Sequence, residues 1–234
     1  MFSRLIIRYT LIFLGICVPH SLNGVAHISH SKYALPQHAR PLIIVDPGHG
    51  GSDEGATSGG AIEKELALTT SVLLRNYLYE LGYRVIMTRH KDLYIPLDRR
   101  VSIANRTHAT LFVSLHYNSA SSSEAYGAEV FYCGSGNPFR VKQSKKLASL
   151  VLKQLILQAN LLSRGIKRGN FYVIRHVKTP AILVEGGFIT NSKERFHLLH
   201  DTKHLERIAR GVALGVDQYI KWNQSTFKPP YKVK

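Results

Sequence analysis

The sequence is poor in cysteine and in acidic residues. Its 234 residues include two cysteines, Cys17 and Cys133, and 15 acidic residues against 31 lysines and arginines, so the formal net charge is +16. Because Cys17 lies in an N-terminal segment that we expect to be removed, Cys133 is the single thiol of the mature chain and an intramolecular disulfide is excluded. No apolar run has the roughly 20 residues of a typical membrane-spanning helix, and no internal repeat is evident.

Residues 1–26 have the organisation of a secretory signal peptide. Arg4 and Arg8 flank an apolar run, and the small residues Gly24 and Ala26 follow it, so we expect cleavage after Ala26. An uncleaved membrane anchor is the alternative, although the run is short and no stop-transfer pattern follows. Residues 27–40 are rich in His, Ser, Lys and Pro without periodicity, which is typical of a linker. The expected location is across the inner membrane, in the periplasm or cell envelope.

Residues 41–222 alternate between strand-like and helix-like patterns. Strands are predicted at residues 42–46, 83–88, 110–115, 128–133, 172–174 and 181–185, and helices at residues 64–81, 97–107, 141–159, 192–199 and 203–222. The strands are apolar throughout instead of alternating with polar residues, which indicates burial on both faces. We therefore predict one α/β domain with a mostly parallel twisted sheet and helices on both faces. A short basic tail, residues 223–234, follows.

Four side chains capable of metal binding or acid–base chemistry lie where predicted strands end or in the adjoining loops. His49 follows the first strand in a Gly-rich turn, Glu63 precedes the first helix, and His116 and Glu185 each follow a buried apolar strand. In open α/β sheets, ligands bind outside the carboxyl ends of the strands. Two histidines and one carboxylate with an open position are a ligand set of catalytic zinc. A further carboxylate beside them is the usual general base.

Taken singly, each of the four has a structural alternative. His49 is compatible with an ordinary Gly-rich turn, Glu63 with a charge favoured by a helix N-terminus, His116 with a core histidine, and Glu185 with a surface acid. A lone Glu185 buried after so apolar a strand would be costly without a partner or a function. The four together therefore favour a catalytic metal site.

Several short motifs follow one another along the chain. They are Asp46-Pro47-Gly48-His49-Gly50-Gly51, Glu63-Lys64-Glu65-Leu66, Thr88-Arg89, Leu97-Asp98-Arg99-Arg100 with Ala104-Asn105, Ser114-Leu115-His116-Tyr117-Asn118, and Val184-Glu185-Gly186-Gly187-Phe188-Ile189-Thr190-Asn191. An ordered series of separate motifs is more specific than any one of them. In this order the chain resembles the zinc-dependent N-acetylmuramoyl-L-alanine amidases of the amidase-3 family, which are bacterial cell-wall hydrolases, and the resemblance covers residues 41–222.

The resemblance implies that His49, Glu63 and His116 bind Zn²⁺ and that Glu185 is the catalytic carboxylate. The implied reaction is hydrolysis of the amide that joins the lactyl group of N-acetylmuramic acid to the L-alanine of the peptidoglycan stem peptide. Glu185 would act as base toward water and then as acid toward the departing amino group. Asp46 is a further candidate for orienting a zinc ligand. Asn118 is expected to cap a turn, with substrate binding as the alternative.

The interval between the second histidine and the catalytic glutamate differs from that of many relatives that act in cell division. Those relatives carry a long helical insertion there, which covers the zinc until an activator displaces it. Here Glu185 follows His116 by 69 residues, and the predicted strands, one helix and a loop account for them. We therefore predict an open site. No separate wall-binding repeat is evident.

The expected partners are the peptidoglycan substrate and, through the basic charge, an anionic wall polymer or a membrane surface. Nucleic acid is not expected, because no recognition motif is present, and a monomer is expected. The basic cluster of Lys142, Lys145, Lys146 and Lys153 is interpreted as a solvated helix face, with a weak role in holding anionic glycan as the alternative.

Three alternative functions stay open at this point. A zinc peptidase or carboxypeptidase uses similar ligands. A penicillin-sensitive serine enzyme would use a Ser-x-x-Lys tetrad, and the two that occur, at residues 29–32 and 225–228, lie in the predicted linker and tail. A non-catalytic wall-binding module is the third, and the complete set of ligands with Glu185 argues against it.

Overall fold

The computed structural model describes residues 40–226. The predicted signal peptide, linker residues 27–39 and tail residues 227–234 lie outside the described residues. The strands are β1 (Leu42–Pro47), β2 (Thr57–Ser58), β3 (Ala61–Ile62), β4 (Arg84–Met87), β5 (Leu111–Asn118), β6 (Ala128–Tyr132), β7 (Ser163–Arg168) and β8 (Ala181–Phe188). The helices are α1 (Glu63–Glu80), α2 (Leu97–Arg106), α3 (Pro138–Ala159), α4 (Tyr172–His176), α5 (Ser192–His200) and α6 (Thr202–Thr226).

Six strands form one sheet in the order β4-β1-β5-β8-β6-β7, and β2 and β3 form a separate small hairpin. The pairs β1–β4, β1–β5 and β5–β8 are parallel, whereas β6 runs antiparallel to β8 and parallel to β7. The sheet is therefore mostly parallel, with a reversed pair of strands at one edge. This confirms the predicted fold class.

Helices cover both faces of this sheet. Alternate residues of the strands pack with α1, α3 and α6 on one face and with α2 and α4 on the other. We call the second face the site face; β5 contributes Phe112, Ser114 and His116 to it. The short helices α2 and α4 pack on its apolar part, around Phe112 and Leu183. Polar and titratable side chains occupy the adjoining carboxyl end of the parallel strands.

The strand predicted at residues 172–174 is wrong, because this segment forms the short helix α4. Val173 and Ile174 are buried against the site face, and the amide of Arg175 donates to the carbonyl of Phe171. An apolar run of two or three residues has no period that separates a strand from one helical turn.

The sequence pattern did not predict β7, which lies at the edge of the sheet beside β6. Its sequence, Ser163-Arg164-Gly165-Ile166-Lys167-Arg168, contains one large apolar residue. Charged side chains and glycine are common in edge strands, where they discourage pairing with other chains, so the local pattern resembles a loop.

Two strands and one helix continue beyond their predicted ends by three residues or more. β5 extends through His116 to Asn118, β8 extends through Glu185 to Phe188, and α6 extends to Thr226. His116 and Glu185 are consequently held inside strands and not in flexible loops. Among the described residues, no helix combines the length and the apolar character needed to cross a membrane.

Candidate metal and catalytic site

The three predicted metal ligands lie together at the carboxyl end of β1 and β5. His49 Nε2 lies 3.1 Å and His116 Nδ1 lies 2.8 Å from Oε1 of Glu63. One ligand atom from each residue lies within 4.8 Å of the other two. Zn²⁺ binds two imidazole nitrogens and one carboxylate in this way and keeps a further position for water or substrate. The donor set therefore fits the metal that the sequence predicts.

The turn after β1 holds His49 in a backbone conformation that residues other than glycine rarely adopt. Its φ is 58°, in the left-handed region, and such a conformation persists where the surrounding structure enforces it. At Gly48, the ring of His116 occupies the space that a Cβ would need. The absence of a side chain at Gly48 thus lets the two imidazoles approach each other, with ring centroids 4.9 Å apart.

Two buried arginines fix this turn through its carbonyl groups. Arg89 and Arg100 together donate to the carbonyl oxygens of residues 47, 48 and 49 at 2.6–3.1 Å. Arg100 also pairs with the buried carboxylate of Asp46 at 2.9 Å. These are arginines of the motifs Thr88-Arg89 and Leu97-Asp98-Arg99-Arg100. Their contacts position the backbone that carries His49.

Asp46 does not make the contact that we expected of it. Its carboxylate accepts hydrogen bonds from Thr88, Ser114 and Arg100, so it is linked to the turn that carries His49 through Arg100 and not through an imidazole. Asp53 makes the direct contact: its Oδ1 lies 2.9 Å from Nδ1 of His49. A carboxylate at this nitrogen fixes the ring so that Nε2 faces Glu63 and the metal position.

Asp53 is not among the site residues that the sequence predicted. Its position depends on a tight turn, in which the Gly50 amide donates to the Asp53 carbonyl at 2.8 Å and the Asp53 amide donates back at 3.2 Å. The usable signal was a carboxylate four residues after the histidine of a Gly-rich turn. Although burial opposes the shift, the hydrogen bond to His49 holds the pKa of the Asp53 carboxyl below its usual range.

Both oxygens of Glu63 are satisfied. Oε1 faces His49 and His116 and accepts from the amide of Tyr117 at 3.2 Å, and Oε2 accepts from the amide of Ala56 at 2.9 Å. Burial raises the pKa of Glu63, but hydrogen bonds with the two histidines outweigh it and hold that pKa far below its usual value. Burial likewise lowers the pKa of His49, and the carboxylates of Glu63 and Asp53 reverse this and raise it. Glu63 is therefore stabilised as an anion, which is the form that binds a cation.

Glu185 has the opposite environment. It lies in register with His116 of β5 on one side and with Glu129 of β6 on the other. It is 8% exposed, and its Oε2 has no hydrogen-bond partner. Burial, followed by the nearby carboxylates of Glu63 and Glu129, raises the pKa of Glu185 well above its usual value. A carboxyl group with a raised pKa can exchange protons near neutral pH.

Asn118 has the expected turn contact and a second one. Its Oδ1 accepts from the amide of Ser119 at 2.8 Å, and its Nδ2 donates to Oε1 of Glu129 at 2.7 Å. Asn118 thus closes the turn after β5 and also holds the carboxylate beside Glu185.

The site is open on one side. The side chains of His49 and His116 are 23% and 17% exposed. A cavity of about 280 Å³ adjoins them, and Tyr94, Leu97 and Val173 contribute to its wall. Between His116 and Glu185 the described residues form β6, α3, β7 and α4, and α3 packs against α6 and the sheet.

A family model described as Amidase_3, N-acetylmuramoyl-L-alanine amidase, matches residues 43–218. The chain belongs to this family. The predicted family and enzyme class, a peptidoglycan amidase, are thereby confirmed. The match includes the four predicted site residues.

Similar proteins agree with this assignment. The amidase is 34% identical over 197 residues to the sporulation-specific N-acetylmuramoyl-L-alanine amidase of Bacillus subtilis (strain 168), covering 82% of this chain and 73% of that protein. It is 33% identical over 229 residues to N-acetylmuramoyl-L-alanine amidase AmiC of Neisseria meningitidis serogroup B, covering 81% of this chain and about half (54%) of that protein. The crystal structure of N-acetylmuramoyl-L-alanine amidase from Clostridium difficile 630 superposes with a TM-score of 0.73 at 33% identity, covering 78% of this chain and 97% of that one.

Proposed function

We propose that this amidase cleaves the bond between the lactyl carbonyl of N-acetylmuramic acid and the amino group of L-alanine in the stem peptide, with His49, Glu63 and His116 as zinc ligands and Glu185 as the catalytic carboxylate. The observation that carries the proposal is that two carboxylates with different hydrogen bonding lie close together. Glu63 is fully hydrogen-bonded between two histidines, and Glu185, one strand beyond His116, has an oxygen without a partner.

Zinc supplies Lewis-acid chemistry when it is bound at the three ligands: it polarises the scissile carbonyl and makes water more acidic. The protein contributes the geometry. His49 is oriented by Asp53 and by its enforced backbone conformation, and His116 is held within β5.

Glu185 handles the proton. In the first step it takes a proton from the attacking water, and in the second it gives a proton to the departing α-amino nitrogen. The raised pKa of Glu185 suits both steps, because a strongly acidic carboxyl group would hold the proton too weakly to return it. The partnerless Oε2 leaves an acceptor for the water.

Digestion of purified peptidoglycan by the mature protein, without any added activator, tests this proposal. We expect release of intact stem peptides with a free L-alanine amino terminus, observed by mass spectrometry, and loss of that release in a zinc chelator. Restoration by added zinc controls for unfolding. Trimmed stems that stay attached to muramic acid would instead identify a peptidase, and release that persists in chelator would contradict the zinc mechanism.

We also propose that the amidase acts outside the cytoplasm and that the basic face of α3 contributes to wall association. Lys142, Lys145 and Lys153 are exposed, and Lys146 Nζ lies 5.2 Å from the ring centroid of Trp222. A triple exchange of Lys142, Lys145 and Lys153 to Glu is expected to reduce sedimentation with cell walls and to leave cleavage of a small soluble muropeptide unchanged. Equal sedimentation of the variant and the native protein would assign these lysines a purely solvating role.

A further inference from the structure

The edge strand β7 places two basic side chains on the site face. Ser163 pairs with Ala128 of β6 and Ile166 pairs with Val130, so β7 has one residue more than β6 over this interval. Residues three apart in a regular strand point to opposite faces. The extra residue, with Gly165 at a φ of 86°, forms a bulge that redirects the chain. As a result, both Arg164 and Lys167 reach the carboxylate of Glu129.

Two cations share one oxygen of a buried carboxylate. Glu129 is 4% exposed, and its Oε2 accepts from Arg164 Nε at 3.2 Å and from Lys167 Nζ. The three side chains together carry a formal charge of +1, and the charge of Arg164 also acts on the carboxylate of Glu194. The side chains of Arg164 and Lys167 remain 33% and 40% exposed. They therefore present donors to solvent next to the site.

Aromatic rings hold both cations in place. The guanidinium carbon of Arg164 lies 4.7 Å from the ring centroid of Phe188, three residues after Glu185, and Lys167 Nζ lies 5.9 Å from that of Phe131. Arg164 also donates to the carbonyl of Tyr126 at 3.3 Å. Side chains ordered before binding lose less conformational entropy when they bind a ligand.

The order of the strands places these cations on the side of the leaving group. The strands β5, β8, β6 and β7 are neighbours in this order. They carry, respectively, His116, Glu185, Glu129 and the two cations Arg164 and Lys167. Both cationic groups contact Glu129 on β6, which pairs with Glu185 one strand spacing of about 4.8 Å away. One peptide residue spans about 3.8 Å, so the residue after L-alanine can reach the cations when the peptide extends from Glu185 toward β6.

We propose that Arg164 and Lys167 form a carboxylate-binding subsite for the stem peptide. The ligand is the free α-carboxylate of the second stem residue, a glutamate linked through its γ-carboxyl group. Arginine and lysine bind carboxylates through charge-assisted hydrogen bonds, and an uncharged carboxamide cannot replace that interaction. The inference rests on the proposed function, because it assigns the peptide side of the same site.

Two matched substrates test the subsite: N-acetylmuramoyl-L-alanyl-γ-D-glutamylglycinamide, whose single carboxylate is the α-carboxylate of the glutamate, and its analogue with an α-carboxamide on the glutamate. We expect the native amidase to favour the carboxylate by roughly 10-fold in kcat/KM, as for the loss of one charge-assisted hydrogen bond. Lys167→Met and Arg164→Gln are expected to reduce this preference while cleavage of the carboxamide is largely retained. Each single variant keeps one cation on Glu129, so we expect both to fold. Lys178→Met, at the amino end of β8, removes one exposed charge as a control and should keep the preference.

A second measurement is independent of turnover. Calorimetric titration of the Glu185→Gln protein with L-alanyl-γ-D-glutamylglycinamide should show tighter binding than titration with its α-carboxamide analogue, and adding Lys167→Met should reduce the difference. Equal kcat/KM of the native amidase for the two substrates would overturn the subsite while leaving the proposed function intact. Equal losses on both substrates in Lys167→Met would also overturn it, because the cations would then serve Glu129 alone. No cleavage of either substrate, together with no stem release from peptidoglycan, would overturn the proposed function itself.

Discussion

Glu63 and Glu185 are the same residue type at nearly the same burial, 5% and 8% exposed, and the fold gives them opposite properties. Glu63 has partners on both oxygens, and its pKa is far below the usual value because of the histidines, against the effect of burial. Glu185 has an oxygen without a partner, and its pKa is raised by burial and by neighbouring carboxylates. The comparison shows that hydrogen-bond partners, and not burial, distinguish the proposed metal ligand from the proposed proton carrier.

The difference originates in the secondary structure that carries each glutamate. Glu63 is the first residue of α1, where free amide groups and the helix dipole favour a negative charge. Glu185 lies within the buried apolar strand β8, between a histidine and a second glutamate on its neighbours. Parallel pairing of β5 and β8 places His116 beside Glu185. The N-terminus of α1 places Glu63 against His116 at the carboxyl end of these strands.

The largest effect is expected from Glu185→Gln. An amide neither accepts a proton from water nor returns one to the leaving nitrogen, so kcat should fall roughly 10²–10⁴-fold, the range of general acid–base catalysis. Release of stem peptide from soluble muropeptide, measured with zinc in excess, gives the rate. The exposed residue Glu80, at the end of α1, provides the matched control, and Glu80→Gln should retain full activity. A Glu185→Gln protein with near-native kcat would remove Glu185 from the proton transfer.

A smaller effect is expected from Asp53→Asn, which changes the environment of a ligand and leaves both glutamates intact. The carboxylate that orients His49 is lost, and such contacts typically contribute 10–100-fold to metal affinity. Competition with a zinc-binding dye should show this loss, while kcat at saturating zinc should stay near the native value. A fall in kcat at saturating zinc would instead assign Asp53 a role in the reaction itself.

The smallest effects are opposite shifts in thermal stability of the metal-free protein. Because the native pKa of Glu185 is raised above the ordinary glutamate value of 4.5, ionisation of this residue destabilises the native protein at pH values above 4.5. Glu185→Gln should therefore unfold at a higher temperature than the native protein at pH 7.5. The lowered pKa of Glu63 contributes stability above 4.5, so Glu63→Gln should unfold at a lower temperature. For a domain of this size, 1 kcal/mol corresponds to about 2–4 °C.

The pH dependence provides the control for these melts. The difference for Glu185→Gln should shrink toward zero near pH 4, where the carboxyl is mostly protonated in both states. The difference for Glu63→Gln should start to shrink only below pH 4.5 and should largely persist at pH 4, because the native pKa of Glu63 lies far lower. Melting curves in chelator at pH 7.5 and pH 4 measure this. Shifts of the same sign for the two variants at pH 7.5 would contradict the comparison.

The sequence predicted the four residues that lie together at the candidate site. His49, His116 and Glu185 were found because apolar strands that end in titratable residues mark the carboxyl edge of a parallel sheet, and Glu63 because it precedes the first helix. It did not identify Asp53, whose contact with His49 needs the left-handed conformation at that histidine and a tight turn after it. It also did not indicate that Arg164 and Lys167, the residues of the proposed subsite, share a face, because a spacing of three in a strand places them on one face only through a bulge. The periodicity of the sequence therefore predicted regular buried strands, but it did not predict contacts that depend on irregular backbone.

The most direct test of the account is the zinc content of Glu63→Gln and Glu185→Gln, purified in parallel, dialysed against zinc-free buffer and analysed by mass spectrometry of the metal. We predict that Glu185→Gln retains about one zinc ion per chain, as the native amidase does, because its ligand set is intact. Glu63→Gln should retain far less, because an amide oxygen replaces the charged ligand. Loss of zinc from Glu185→Gln, or full retention by Glu63→Gln, would contradict the division of roles between the two glutamates.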